Sequence, residues 1–192
     1  MNETTHPIDR SDPCPFPLSA VLPPLLIGAG VGAGVMMADD RRTSASVLED
    51  QTIEFKIKNR IDEKYEDQLH VSITSFNRFV LLTGEAPTEE IKQDLSIVAL
   101  EVQNVRNVQN EVIVAGNSSF TSRSSDTLLT SRIKGRLMQN KDVSANHVKV
   151  VTENGAAFLM GLVTRAEAES AAQTAATTSG AQRVVKVFEY ID

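Results

Sequence analysis

Cysteine is almost missing from this chain, tryptophan is missing altogether, and only three histidines occur in 192 residues. A lone Cys14 closes no internal disulfide, and with so few histidines no Cys/His cluster falls at metal-ligand spacing. The expectation is therefore a chain with no bound metal and no cofactor. Aromatics make up 5% of residues, so the core has to be aliphatic. Positive charge is also short: 19 Lys and Arg stand against 25 Asp and Glu, a net charge of −6. Nucleic acid as a partner needs a clear basic excess, and that class is set aside. No Gly-rich phosphate loop or dinucleotide fingerprint is present. No Ser or Cys nucleophile stands with a His, and the carboxylates form no convincing acid/base pair. These absences point away from an enzyme.

The first 38 residues differ from the rest. A polar, Pro-rich start, "MNETTHPIDRSDPCPFP", leads into residues 18–38, "LSAVLPPLLIGAGVGAGVMMA", which carry no charge. That span is long enough for a bilayer, but Pro23-Pro24 and four glycines weaken a helix there. A signal peptide with so acidic an n-region is irregular too. Export or anchoring segment and disordered leader both stay open. From Asp39 the chain turns polar.

What is present, beyond an ordinary 41% apolar content, is a repeat. Placing Gly84 on Gly161 pairs His70 with His147, Asn77 with Asn154, Leu82 with Leu159, Glu90 with Glu167 and Val108 with Val185. Upstream, after a one-residue shift, "IKNRI" at 57–61 falls on "IKGRL" at 133–137. Each copy opens with an amphipathic helix, its stripe Ile53, Ile57, Ile61 or Leu129, Ile133, Leu137 at i, i+4, i+8. A strand follows, "HVSIT" or "HVKVV", then a turn. Asn154-Gly155 is the strongest hairpin signal in the chain, and Asn77-Arg78 is a weaker one. The returning strands "FVLLTG" and "AFLMGLV" are apolar on both sides and run into Gly84 and Gly161, each expected at a bulge or a close backbone approach. Thr88 and the capping box Thr164-x-x-Glu167 start second helices. Ile91, Leu95, Val98 and Val102 form the stripe of one, and Ala168, Ala171, Ala172, Ala175 and Ala176 that of the other. A third strand, "NVQNEVIV" or "RVVKVFEYI", closes each copy. The unit is α-β-β-α-β.

The expected organisation is a leader at 1–38, a first domain at 50–114, a Ser/Gly-rich linker at 115–124 and a second domain at 125–192. The fold class is α+β, each domain a small mixed three-stranded sheet packed on two helices. Phe120, the one large apolar residue of the linker, is either exposed or a pin onto a domain.

This unit resembles the BON domain. The phrases that carry the resemblance are "DDRRTSASVLEDQTIE", "VLLTGEAP" and, most specifically, "VKVVTENGAAFLMGLVTRAEAESAA". Two copies behind a Gly/Ala/Val-rich leader resemble the dual-BON lipoproteins of the Gram-negative envelope. The resemblance implies a periplasmic location associated with the outer membrane, an acylated N-terminal Cys, and a second domain contacting anionic phospholipid. Cys14 departs from that pattern: Ser11-Asp12-Pro13 before it is no lipobox, so the acyl site is not carried onto it.

The equivalent first helices differ in charge. From Glu49 to Asp67, four basic residues face seven acidic ones, a net −3; from Asp126 to Asp142, Arg132, Lys134, Arg136 and Lys141 face only two, a net +2. A basic helix with apolar neighbours is drawn to an anionic lipid surface, while the plainer alternative is a solvated charged helix. The expected lipid-binding residues are Leu128, Arg132, Lys134 and Arg136, with Leu129 kept for the core. His70 and His147, at matching strand entries, are expected to be structural. An adaptor for envelope proteins, using its third strands for strand addition, is the alternative from another class.

Overall fold

The computed structural model describes residues 40–66, 69–115 and 120–192. The leader, Cys14 and the side chain of Phe120 lie outside the described residues. In the first repeat, helix α1 (Ser44–Tyr65) precedes strands β1 (His70–Phe76) and β2 (Phe79–Ala86), helix α2 (Glu89–Leu100), and strands β3 (Asn107–Asn110) and β4 (Ile113–Val114). In the second, α3 (Phe120–Gln139) and a 3-10 turn (Ala145–His147) precede β5 (Val148–Glu153), β6 (Ala156–Val163), α4 (Arg165–Ala176) and β7 (Arg183–Tyr190). Helix α3 thus starts inside the stretch whose composition reads as linker. Strands β3 and β4 both run parallel to β2, from Leu82↔Asn110 to Glu85↔Ile113, and form one strand interrupted at Glu111-Val112. Each repeat is therefore a three-stranded mixed sheet. Its middle strand pairs antiparallel with the hairpin partner and parallel with the strand after the second helix.

The predicted stripes are the cores. Ile53, Ile57 and Ile61 pack with Val80, Leu82, Leu95, Val98 and Val102. Leu129, Ile133 and Leu137 pack with Leu159, Ala168, Ala171, Ala172 and Ala175. Ala176 is exposed, so the alanine stripe stops one residue earlier than its spacing implies. The helix ends follow their caps: Thr88 Oγ1 accepts from Ile91 N at 3.3 Å, and Thr164 with Glu167 forms a complete capping box. Asn104, at φ 73°, and Gly180, at φ 102°, turn the chain after α2 and α4.

Why the middle strands are apolar on both sides becomes clear from the other sheet faces. Side chains alternate along a strand. Val80 and Leu82 point to the first helical core while Leu81 points away; Ala157 and Leu159 point to the second while Phe158 and Met160 point away. The outward sets meet. Phe76, Leu81, Ala156, Phe158, Met160 and Val187 form a third buried cluster, so the two sheets stack between two helical layers. Burying each of the larger of these side chains contributes ~1.5–3 kcal/mol, and a unit this small is marginal without that addition. Polar contacts rim the seam. Asn77 Nδ2 donates to Glu189 at 2.8 Å, and Asn154 Nδ2 donates to Glu85 at 2.8 Å. The two equivalent hairpin asparagines thus each clasp a carboxylate of the opposite repeat. Lys149 reaches Glu54 at 3.1 Å, and Arg183 reaches Glu111 at 3.0 Å.

Among the described residues no helix is long and apolar enough to cross a membrane.

Candidate functional site

Helix α3 carries the residues that the charge comparison singles out. Its inward stripe is fixed by Leu129, Ile133 and Leu137, each at most 3% exposed, which turns Leu128 out at 57% exposure and Met138 at 67%. Gly135 faces open space: a Cβ there would meet nothing within 4 Å. Arg132, Lys134 and Arg136 are placed on the outer part of the helix, away from that stripe.

The three cations are not one cluster. Arg132 and Arg136, one turn apart, lie on the flank facing the end of α4. Arg132 Nη1 donates to the Ser179 carbonyl at 3.4 Å, and Arg136 Nη1 donates to the Thr174 carbonyl at 3.1 Å and to Thr178 Oγ1 at 2.9 Å. Cations at the carbonyl end of a helix are favoured by its dipole, so both arginines also help to close α4. Lys134, two residues from Arg132, is about 200° of helical turn away and projects on the other flank. Leu128 and Met138 lie between the two flanks. The outer surface of α3 thus carries two separate exposed apolar side chains, with Ser131 and Gly135 between them and cations on both sides.

Neutralisation separates the two repeats. On α1, Lys58 pairs with Asp62 at 2.5 Å, Lys64 with Asp94 at 2.6 Å, and Arg60 with Glu101 at 3.8 Å. Asp94, held by Lys64 and by the Tyr65 hydroxyl, has its carboxyl lowered below the usual range. Among the described residues, none of Arg132, Lys134 and Arg136 forms an ion pair with a carboxylate, and no acid occurs from Thr127 to Gln139.

The structural positions are also placed. A Cβ on Gly84 would lie 2.0 Å from the His70 carbonyl oxygen, and one on Gly161 would lie 2.3 Å from that of His147. At both sites the backbone carbonyl of the histidine at the entry of the neighbouring strand occupies the space of a side chain. Asn154 (φ 49°) and Gly155 (φ 74°) form the second hairpin turn, and Asn77 (φ 50°) with Arg78 (φ 66°) forms the first with the same left-handed backbone.

Composition and spacing do not reveal what grips these turns. Asp126, 6% exposed, accepts from Asn154 N and Gly155 N, both at 2.8 Å. Asp50, 3% exposed, accepts from Asn77 N at 2.8 Å, Arg78 N at 2.7 Å and Ser75 Oγ at 2.7 Å. One signal in the chain does point to them: in both copies an Asp stands three residues before the first stripe residue.

The "DDRRT" phrase gains a physical role as well. Arg42 bonds Asp50 at 2.9 Å and stacks 3.9 Å from the Phe76 ring centre. Arg41 crosses to the second repeat and grips Glu167 with two bonds of 2.8 Å, with a third to the Leu162 carbonyl at 2.9 Å. The Arg41 guanidinium, working against partial burial and helped by the Thr164 backbone and hydroxyl bonds, holds the Glu167 carboxyl down at about 2.

With this geometry in view, comparison with known proteins gives the family. The BON domain model matches residues 49–116 and again 125–192. The chain belongs to the BON-domain family, with two copies in tandem. It is 36% identical over 171 residues to the outer membrane lipoprotein DolP of Haemophilus influenzae, covering 86% of this chain and 89% of that one. It is 30% identical to the 21 kDa hemolysin of Actinobacillus pleuropneumoniae, covering 79% of each. It is 26% identical to the osmotically-inducible protein Y of Escherichia coli, over 79% of this chain and 78% of that one. None of these three relatives carries the name of an enzyme.

Proposed function

We propose that this tandem BON protein works at the outer membrane, on its periplasmic side, and binds anionic phospholipid through α3 of the second repeat. Likeness to an outer membrane lipoprotein along most of both chains supports the location. The observation that carries the lipid reading is the un-neutralised outer face of α3. There Leu128 and Met138 offer two exposed apolar side chains, and Arg132, Lys134 and Arg136 flank them without carboxylate partners among the described residues. Each basic residue held near an anionic surface contributes about 1 kcal/mol, and exposed Leu and Met side chains add shallow insertion. The first repeat, three of whose four helix cations are paired, orients the second through the seam. The protein supports membrane integrity by this contact and carries no catalytic residue in this reading.

The test is co-sedimentation of the chain with anionic and with zwitterionic vesicles at low and high salt. Binding to anionic vesicles alone, weakened by salt and by Lys134→Glu, is the expected result. A second reading, a protein adaptor of the envelope, has one observation in its favour. Strands β4 and β7 lie at sheet edges, and Ile113, Val114, Tyr190 and the adjoining Ile191 are exposed by 41–52%, an arrangement open to strand addition. Indifference to lipid charge and salt would favour it.

A further inference from the structure

The seam holds a group of ligating side chains that the linear spacing of the chain conceals. His70 opens β1, Glu85 lies directly opposite it on β2, and Glu153 ends β5 of the other repeat. One ligand atom from each of these residues lies within 4.8 Å of the other two. Glu85 is 1% exposed. Its Oε1 accepts from Asn154 Nδ2 at 2.8 Å, while Oε2 has no hydrogen-bond partner. A buried carboxylate left half-satisfied is costly, and a second carboxylate beside it raises that cost. A cation removes both penalties.

We propose that His70, Glu85 and Glu153 form a divalent transition-metal site, best suited to Zn2+, that ties the two repeats together. One imidazole nitrogen and two carboxylates make a mixed N/O donor set, which suits zinc or manganese, whereas calcium and magnesium prefer oxygen alone. With zinc bonds near 2.0–2.2 Å in a tetrahedron, two ligand atoms on one ion stand about 3.3–3.6 Å apart. From separations of up to 4.8 Å, the side chains close on the ion by rotating about their own bonds. A cleft of about 260 Å3, lined in part by His70, Ser72, Thr152 and Glu153, gives an ion a way in, and water the remaining coordination positions. The site is single. Placing Gly84 on Gly161 puts Leu162 at the position equivalent to Glu85, so the second repeat cannot form its own copy.

The experiment is calorimetric titration of the full, chelator-treated chain with Zn2+, Mn2+ and Mg2+, with the melting temperature followed alongside. One Zn2+ per chain is expected at the seam, with a raised melting temperature and no response to Mg2+. Loss of even a partner behind a metal ligand costs ~10–100-fold in affinity, so His70→Ala and Glu153→Gln should each weaken Zn2+ at least about tenfold. Both residues are half-buried, and these variants decide the matter if Glu85→Gln fails to fold. His6 and Cys14 offer zinc ligands elsewhere, so Zn2+ binding unchanged in both variants overturns the assignment. Absence of Zn2+ and Mn2+ binding in the parent chain overturns the site itself and leaves the cluster a buried charge group.

Discussion

Arg78 and Gly155 hold the same position in two copies of one turn, and they are opposite choices for it. Both adopt the left-handed backbone, at φ 66° and φ 74°. For a residue with a Cβ that conformation costs ~1–2 kcal/mol, and glycine escapes the cost. Arg78 also leaves its buried Nε without a hydrogen-bond partner, with Glu49 3.8 Å away. Arg78→Gly should therefore stabilise the chain by about 0.5–1 kcal/mol, after the entropy that glycine adds to the unfolded state. Gly155→Ala should do the reverse, through the cost of a Cβ at φ 74°, since the exposed Gln182 side chain 2.9 Å from that Cβ can move aside. Thermal unfolding of the two variants checks this, and shifts of the same sign would overturn the shared-turn account. The strong Asn-Gly turn is legible from residue type alone. The weak one is only faintly so, because Arg78 is a poor residue for it and the Asp50 carboxylate that enforces it comes from a helix far back along the chain.

At the scale of the element, apolar stripes set which face of each helix turns inward, since 3.6-residue spacing is a property of the chain itself. Leu129 in the core and Leu128 outside follow from it. Charge is legible as a sum but not as contacts. Arg132 and Arg136 bond carbonyls at the end of α4, residues that only the fold brings near. Charge reversal on α3 therefore has two kinds of consequence. Arg136→Glu removes the bonds to Thr174 and Thr178 and sets a negative charge at a helix C-terminus, costing about 1 kcal/mol of stability. Lys134→Glu, on the other flank, should leave the melting temperature unchanged and weaken binding to anionic vesicles about tenfold or more. Equal losses of stability in both variants would mean that the two flanks are not distinct.

The whole molecule is joined by contacts that neither repeat contains alone. A both-sided apolar strand announces that a sheet is covered twice, but the sequence does not name the second cover. Here it is the other sheet, through Leu81, Phe158 and Met160. Duplication thus supplies each repeat with the partner its outer sheet face needs, while the helices on the far sides stay free to diverge in charge. One of the joining contacts carries a pH signature. Glu167, gripped by Arg41 from ahead of the first repeat, has its carboxyl lowered from 4.5 to about 2. A group depressed in the folded state binds fewer protons there than in the unfolded chain. Its stabilisation is therefore complete above the unfolded value and drains away as pH falls from 4.5 through about 2. Glu167→Gln tests this effect, because glutamine still serves at the third position of a capping box while the charge facing Arg41, and facing His147 Nδ1 at 3.6 Å, is gone. The parent chain should melt higher than the Glu167→Gln variant at pH 6, and the two should converge near pH 2. Groups common to both proteins and remote from Glu167 cancel from the comparison. A gap between the two melting curves that stays constant across the acid range would show that Glu167 is not held below its ordinary value, and that Arg41 grips it through hydrogen bonds alone.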